Sequence, residues 1–239
     1  RITTLYYGVD RPAHLLTDDE IHEQRKELGF RDSDFIVGLL GRLEHGKGQH
    51  LLIEALALAK QDGLDPRALI VGHEMNPGYR GELQQLAHDS HVATNIVFMD
   101  FVSEPQKLMQ LCDCIALTSR EETFGLVLPE AMRCGVAVIG SNRGGVPEII
   151  THEQTGLLFE SWDANSLLAT VSFSLATAAS AGCTKTESVQ HTDPQKQRQR
   201  QRFFMGCRSK ISGIITNRCA AKLIATIISG NCYSKRSAR

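Results

Sequence analysis

An α/β fold with a doubly wound parallel sheet is the class this sequence predicts. From Asp34 to about Phe159, short β-rich apolar runs alternate with longer stretches whose apolar residues recur every three or four positions. The runs are apolar on both faces, as strands covered by helices on each side must be. Gly135 follows one helical stretch, and Pro147 opens another, at the stop and start positions where such residues are favoured. Ligands of such folds sit at the carboxyl ends of the strands.

Taken in order, FIVGLL (35–40) reads as the first strand and HLLIEALALAKQ (50–61) as the helix that follows it. RALIVG (67–72) and NIVFM (95–99) are strands separated by the helix GELQQLAHDS (81–90). The helix EPQKLMQLC (104–112) leads into CIALTS (114–119), and GLVLPEAMRC (125–134) leads into VAVIG (136–140). The segment RGG (143–145) reads as a flexible connection to the short helical PEII, and GLLF (156–159) is the last strand. Asp163 is placed to cap a final helix, ANSLLATVSFSLA.

The 239 residues, 42% of them hydrophobic, suffice for one large domain or two small ones. The net charge of -1 conceals an asymmetry: residues 1–180 carry 14 Lys+Arg against 25 Asp+Glu, and residues 181–239 carry 12 against 2. The division predicted is therefore a domain over 1–178 and a basic, low-complexity tail over 179–239, without a packed core. A stripe from Ile214 to Ile227 at helical spacing suits packing on the body of the domain or peripheral contact with a membrane surface. No run approaches the length of a membrane span, and the first residues lack the pattern of a signal peptide, so a cytoplasmic protein is expected. Seven Cys without zinc spacing read as reduced thiols.

Chemistry concentrates in two loops. In GRLEHGKGQH (41–50), Gly41, Gly46 and Gly48 allow close backbone approach, while Arg42 offers a bidentate fork and Lys47 a compact charge. Phosphate is the natural guest. In SREETFGLVLPEAMRCG (119–135), Glu122 lies in the loop before a helix and Glu130 inside it. The backbone N–H groups of Phe124, Gly125 and Leu126 are expected to face the same cleft as Arg42 and Lys47. Two carboxylates beside a phosphate suit hydroxyls, which donate readily to carboxylate oxygens. A sugar joined to a diphosphate would satisfy the whole set. His73 and Arg143 read as surface loop residues near the cleft, and Glu148 as part of a helix start. A dinucleotide oxidoreductase is disfavoured, because GxGxxG is absent.

GRLEHGKG, followed by FMDFVSEPQKLMQLCDCIALTSREETFGLVLPEAMRCGVAVIGSNRGGVPEIITHEQTGLLF, resembles the nucleotide-sugar-binding half of the group 1 retaining glycosyltransferases. Two Rossmann-like domains make up their GT-B fold. The resemblance runs from about Tyr7 to about Ala176, and it departs from the family's pattern at Thr123 and Asp100, where Gly is frequent. It implies that Arg42, Lys47 and Glu122 act at the reacting centre, the first two on the donor diphosphate and Glu122 on the transferred sugar. Glu130 would hold the ribose, with Phe124, Gly125, Leu126 and Gly41 completing the substrate site. No cofactor and no metal are expected.

The resemblance further implies an N-terminal acceptor domain that this chain lacks, so a fragment, inactive alone, is expected. The acceptor would be a glycan or lipid-linked glycan reached through that domain, at the inner face of the membrane, with no specific nucleic acid partner. A nucleotide-binding module without transfer activity is the alternative. For the tail, a reading-frame slip near Ala178, a divergent terminus and a basic arm are the three explanations.

Overall fold

The structure, a computed structural model, describes residues 8–10 and 12–180. The expected tail and its apolar stripe lie outside the described residues. Six parallel strands form one sheet: β1 (Ile36–Leu40), β2 (Arg67–Val71), β3 (Ile96–Met99), β4 (Cys114–Leu117), β5 (Ala137–Ser141) and β6 (Leu157–Phe159). Their order is β3-β2-β1-β4-β5-β6. The winding therefore reverses between β1 and β4, which opens a crevice at their carboxyl ends.

The helices are α1 (Asp18–Glu27), α2 (Gln49–Gln61), α3 (Tyr79–Asp89), α4 (Pro105–Leu111), α5 (Val127–Arg133), α6 (Val146–Ile149) and α7 (Ala164–Ser180). One core cluster unites Leu52 and Leu56 of α2, Leu83 of α3 and Leu167 of α7 with one sheet face. The other unites Leu111 with Leu128 and Ala131 of α5 and Val146 of α6 on the opposite face. The α/β doubly wound reading is thus correct. The side chain of Asp163 accepts from the amides of Asn165 at 2.9 Å and Ser166 at 3.2 Å, capping α7 as expected.

Three local expectations change. The sequence pattern predicts no element over 18–27, where α1 stands. Thr17 and Glu20 form a reciprocal capping box there, and the first turn is acidic and the last basic. Helix α5 begins at Val127 rather than at Gly125, so Glu130 lies about one turn inside it. The RGG segment is packed rather than loose: the Gly145 amide donates to the Glu122 carbonyl at 2.8 Å. A Cβ on Gly144 or Gly145 would run into the carbonyls of Glu122 or Thr123.

Arg25, only 2% exposed, ties α1 to the domain. Its Nε donates to the Leu111 carbonyl at 2.8 Å and its Nη2 to Asp113 Oδ2 at 2.9 Å. The same Asp113 oxygen accepts the Ile36 amide at 2.8 Å, at the amino end of β1.

Candidate active site

The loops after β1 and β4 meet over the crevice. A short 3-10 turn, His45–Lys47, follows β1 and ends at Gly48, whose φ of 70° lies in the left-handed region. A Cβ at Gly48 would run into the Thr118 carbonyl, so only glycine lets the two loops approach this closely. The Arg120 amide donates to the Gly46 carbonyl at 3.0 Å. The Thr118 hydroxyl donates to the Lys47 carbonyl at 2.7 Å. Gln49, fully buried, donates through Nε2 to the Arg42 carbonyl at 2.7 Å and fixes the loop from within.

These contacts bring Lys47 and Glu122 together. Lys47 Nζ donates to Glu122 Oε2 at 2.7 Å, with the side chains 22% and 15% exposed. The Ser119 hydroxyl donates to the same oxygen at 3.2 Å, while the Ser141 hydroxyl donates to the Ser119 carbonyl at 2.9 Å. Thr118, Ser119 and Ser141 are fully buried. Hydroxyls at strand ends carry little sequence signal, and these three, like Gln49, were not singled out by it.

Arg42 stands apart from that pair. Its Nη2 lies 3.2 Å from Glu44 Oε1 and its side chain is 51% exposed. Both cations expected to face phosphate thus already have a carboxylate partner. Gly41, exposed at φ 157°, follows β1, and its amide donates to the Val71 carbonyl at 2.9 Å.

Glu130 occupies a neighbouring place. With Asp10, Gln106, Lys107 and Leu126 it lines a cavity of about 380 Å³. Lys47 and Glu122 do not line this cavity. The segment between joins the two: a Cβ at Gly125, φ 82°, would lie 3.3 Å from Glu122 Cγ and 2.7 Å from Leu117 Cδ2. Burial pushes the Glu130 carboxyl above the ordinary carboxylate range. Burial, with the Glu130 charge added, pushes the Cys134 thiol up to about 11, which makes it a poor nucleophile.

His73 approaches Met75 Sδ at 3.1 Å, and Arg143 is exposed. Asp100, where the sequence departs from the family's pattern, pairs with Arg80 at 3.0 Å. Among the described residues, no group of three or more His, Cys, Asp or Glu is arranged to hold a metal ion, and no helix is long and apolar enough to cross a membrane.

The profile of the family described as "Glycosyl transferases group 1" matches residues 20–178. The chain belongs to that family. It is 32% identical over 162 residues to the N-acetyl-alpha-D-glucosaminyl L-malate synthase of Bacillus anthracis, covering 68% of this chain and 41% of that protein. It is likewise 32% identical over 159 residues to the D-inositol 3-phosphate glycosyltransferase of Jonesia denitrificans, covering 63% of this chain and 38% of that protein. The chain thus spans about two-fifths of the length of these relatives. Anabaena Alr3699/HepE, solved in complex with UDP and glucose, superposes with a TM-score of 0.64 at 28% identity over 90% of this chain and 53% of that one. The C-terminal domain of the group 1 protein LpcC from Francisella tularensis shares the fold, with a TM-score of 0.57 at 21% identity over 92% of this chain and 97% of that domain.

Proposed function

We propose that this chain binds a nucleoside-diphosphate sugar at the carboxyl edge of its sheet, and supplies the donor-binding half of a retaining glycosyltransferase. The observation that carries the reading is the Lys47–Glu122 pair, a cation and a carboxylate held across the crevice between β1 and β4. A diphosphate needs the first group and a hydroxylated sugar the second. The UDP and glucose in the Anabaena relative supply the ligand class.

In the proposed reaction, the bond between the sugar's anomeric carbon and the diphosphate oxygen breaks. A bond from that carbon to the acceptor oxygen forms with retained configuration, and the proton of the acceptor hydroxyl passes to the departing diphosphate. Negative charge grows on the departing diphosphate, so donors aimed at it act more strongly in the transition state than in the ground state. That role is assigned to Lys47 and Arg42, with the amides of Phe124, Gly125 and Leu126 and the glycine backbone at Gly41. Glu122 accepts hydroxyls of the transferred sugar, and Glu130 accepts ribose hydroxyls from its cavity. The acceptor is a glycan or lipid-linked glycan.

Calorimetric titration with UDP and UDP-glucose tests the reading. Both should bind, and Lys47→Ala should weaken each by about tenfold or more, since hydrogen bonds to charged groups are worth roughly 1.5–3 kcal/mol. A folded chain that takes up neither these ligands nor their guanosine and adenosine counterparts would overturn it.

A further inference from the structure

We propose that Glu122 competes with the ligand's diphosphate for Lys47, and that this competition lets the site prefer a nucleoside-diphosphate sugar over the bare nucleoside diphosphate. The proposal rests on the donor reading above for the identity of the anion.

The pair is held at both ends rather than formed by chance between two long side chains. At one end, the buried Thr118 hydroxyl fixes the Lys47 carbonyl at 2.7 Å. At the other, the buried Ser119 hydroxyl shares Glu122 Oε2 with Lys47 Nζ, at 3.2 and 2.7 Å. Thr118 and Ser119 are adjacent and follow β4, so the two ends of the ion pair hang from one rigid point. Ser119 restrains the Glu122 side chain and Thr118 the Lys47 backbone, and with the Lys47 and Glu122 side chains only 22% and 15% exposed the pair is shielded from the water that weakens exposed ion pairs.

A diphosphate that draws Lys47 Nζ to itself pulls it away from that carboxylate. Glu122 is then left largely desolvated, with Ser119 as its one remaining donor among the described residues and an anion beside it. A buried charge that loses its partner is costly. The bare diphosphate offers the carboxylate nothing in return, because it too is an acceptor. A sugar on the diphosphate does, since its hydroxyls donate. Among the described residues no hydrogen bond occupies Glu122 Oε1, so one oxygen already stands open to such a donor. Arg42 and Glu44 cannot discriminate in this way, because the Arg42 side chain is 51% exposed and exchanges its partner for water cheaply.

The consequence is a sign that simple contact loss does not give. Removing the Glu122 charge should strengthen binding of the bare anion. Calorimetric titrations of the full chain and of Glu122→Gln with pyrophosphate, UDP and UDP-glucose read it out. The variant keeps the side chain's shape and its acceptor for Ser119, and matched thermal melts confirm that it folds. Glu122→Gln should bind pyrophosphate and UDP about tenfold more tightly than the parent chain, the scale of one charge-assisted hydrogen bond. Its preference for UDP-glucose over UDP should shrink.

In a Lys47→Ala background, the same substitution should bring no gain, because nothing is left to release. A gain that persists there would mean plain repulsion and would overturn the competition. So would equal or weaker binding of UDP and pyrophosphate by Glu122→Gln, including no binding by either chain. If the parent chain binds UDP-glucose and Glu122→Gln shows no gain, the competition falls and the donor reading stands. A gain for pyrophosphate in a chain that takes up no nucleotide would keep the competition and remove the donor reading.

Discussion

Glu130 shows how a single side chain carries the tension between stability and a binding role. Its carboxyl is held above the ordinary range by burial. The folded chain therefore keeps this proton at pH values where the unfolded chain, with its ordinary carboxyl, has lost it. Stability falls as pH rises through that window, and the deficit is complete above the folded value. Glu130→Gln should remove the deficit. Its Tm should match the parent's near pH 4 and exceed it near pH 8, as followed by circular dichroism across about four pH units. A difference independent of pH would mean that ionisation of Glu130 is not what burial penalises.

The pairing of side chains is where sequence reading stopped. Lys47 and Glu122 stand out as charged residues in strand-to-helix loops, yet 75 positions separate them, and only the placement of β1 beside β4 makes them neighbours. Glu44, two residues from Arg42, takes up the guanidinium for which the sequence suggests only a phosphate.

Among the elements, the strands were legible because continuous apolar runs are hard to place anywhere but in a covered parallel sheet. Helix α1 was not, since DDEIHEQRKE has Ile21 as its one apolar residue and thus no periodic stripe. What holds α1 is Ile21, packed against the second core cluster, together with Arg25, which reaches Asp113, the acceptor of the first amide of β1. A buried guanidinium deprived of its carboxylate is left charged in a poor solvent. Asp113→Ala should therefore lower unfolding stability by about 3–5 kcal/mol, measured by urea titration. Arg25→Met leaves Asp113 without its cation, but that carboxylate is 19% exposed and keeps the Ile36 amide, so the change should cost less. If Asp113→Ala is the milder of the two, the pair is not the anchor of α1.

At the scale of the whole molecule, the two core clusters lie on opposite faces of one six-stranded sheet, so neither can be lost without exposing the other's strands. Adjacent strand residues alternate between the clusters: Ile36 and Leu40 belong to one, and Val37 and Leu39 to the other. Leu52 in α2 and Leu111 in α4 are both fully buried, one in each cluster, and offer the same chemical change on the two faces. Truncation of a buried Leu to Ala costs about 2.7–5.0 kcal/mol, and for a domain of this size each kcal/mol shifts Tm by roughly 2–4 °C. Leu52→Ala and Leu111→Ala should each lower Tm by about 5–20 °C in a single calorimetric transition. A second transition in either variant would show that the faces unfold separately. The loops after β1 and β4 could then lose their alignment while half the sheet survived. A single transition ties the crevice to the whole fold, because the strands that position Lys47 and Glu122 draw on both cores at once.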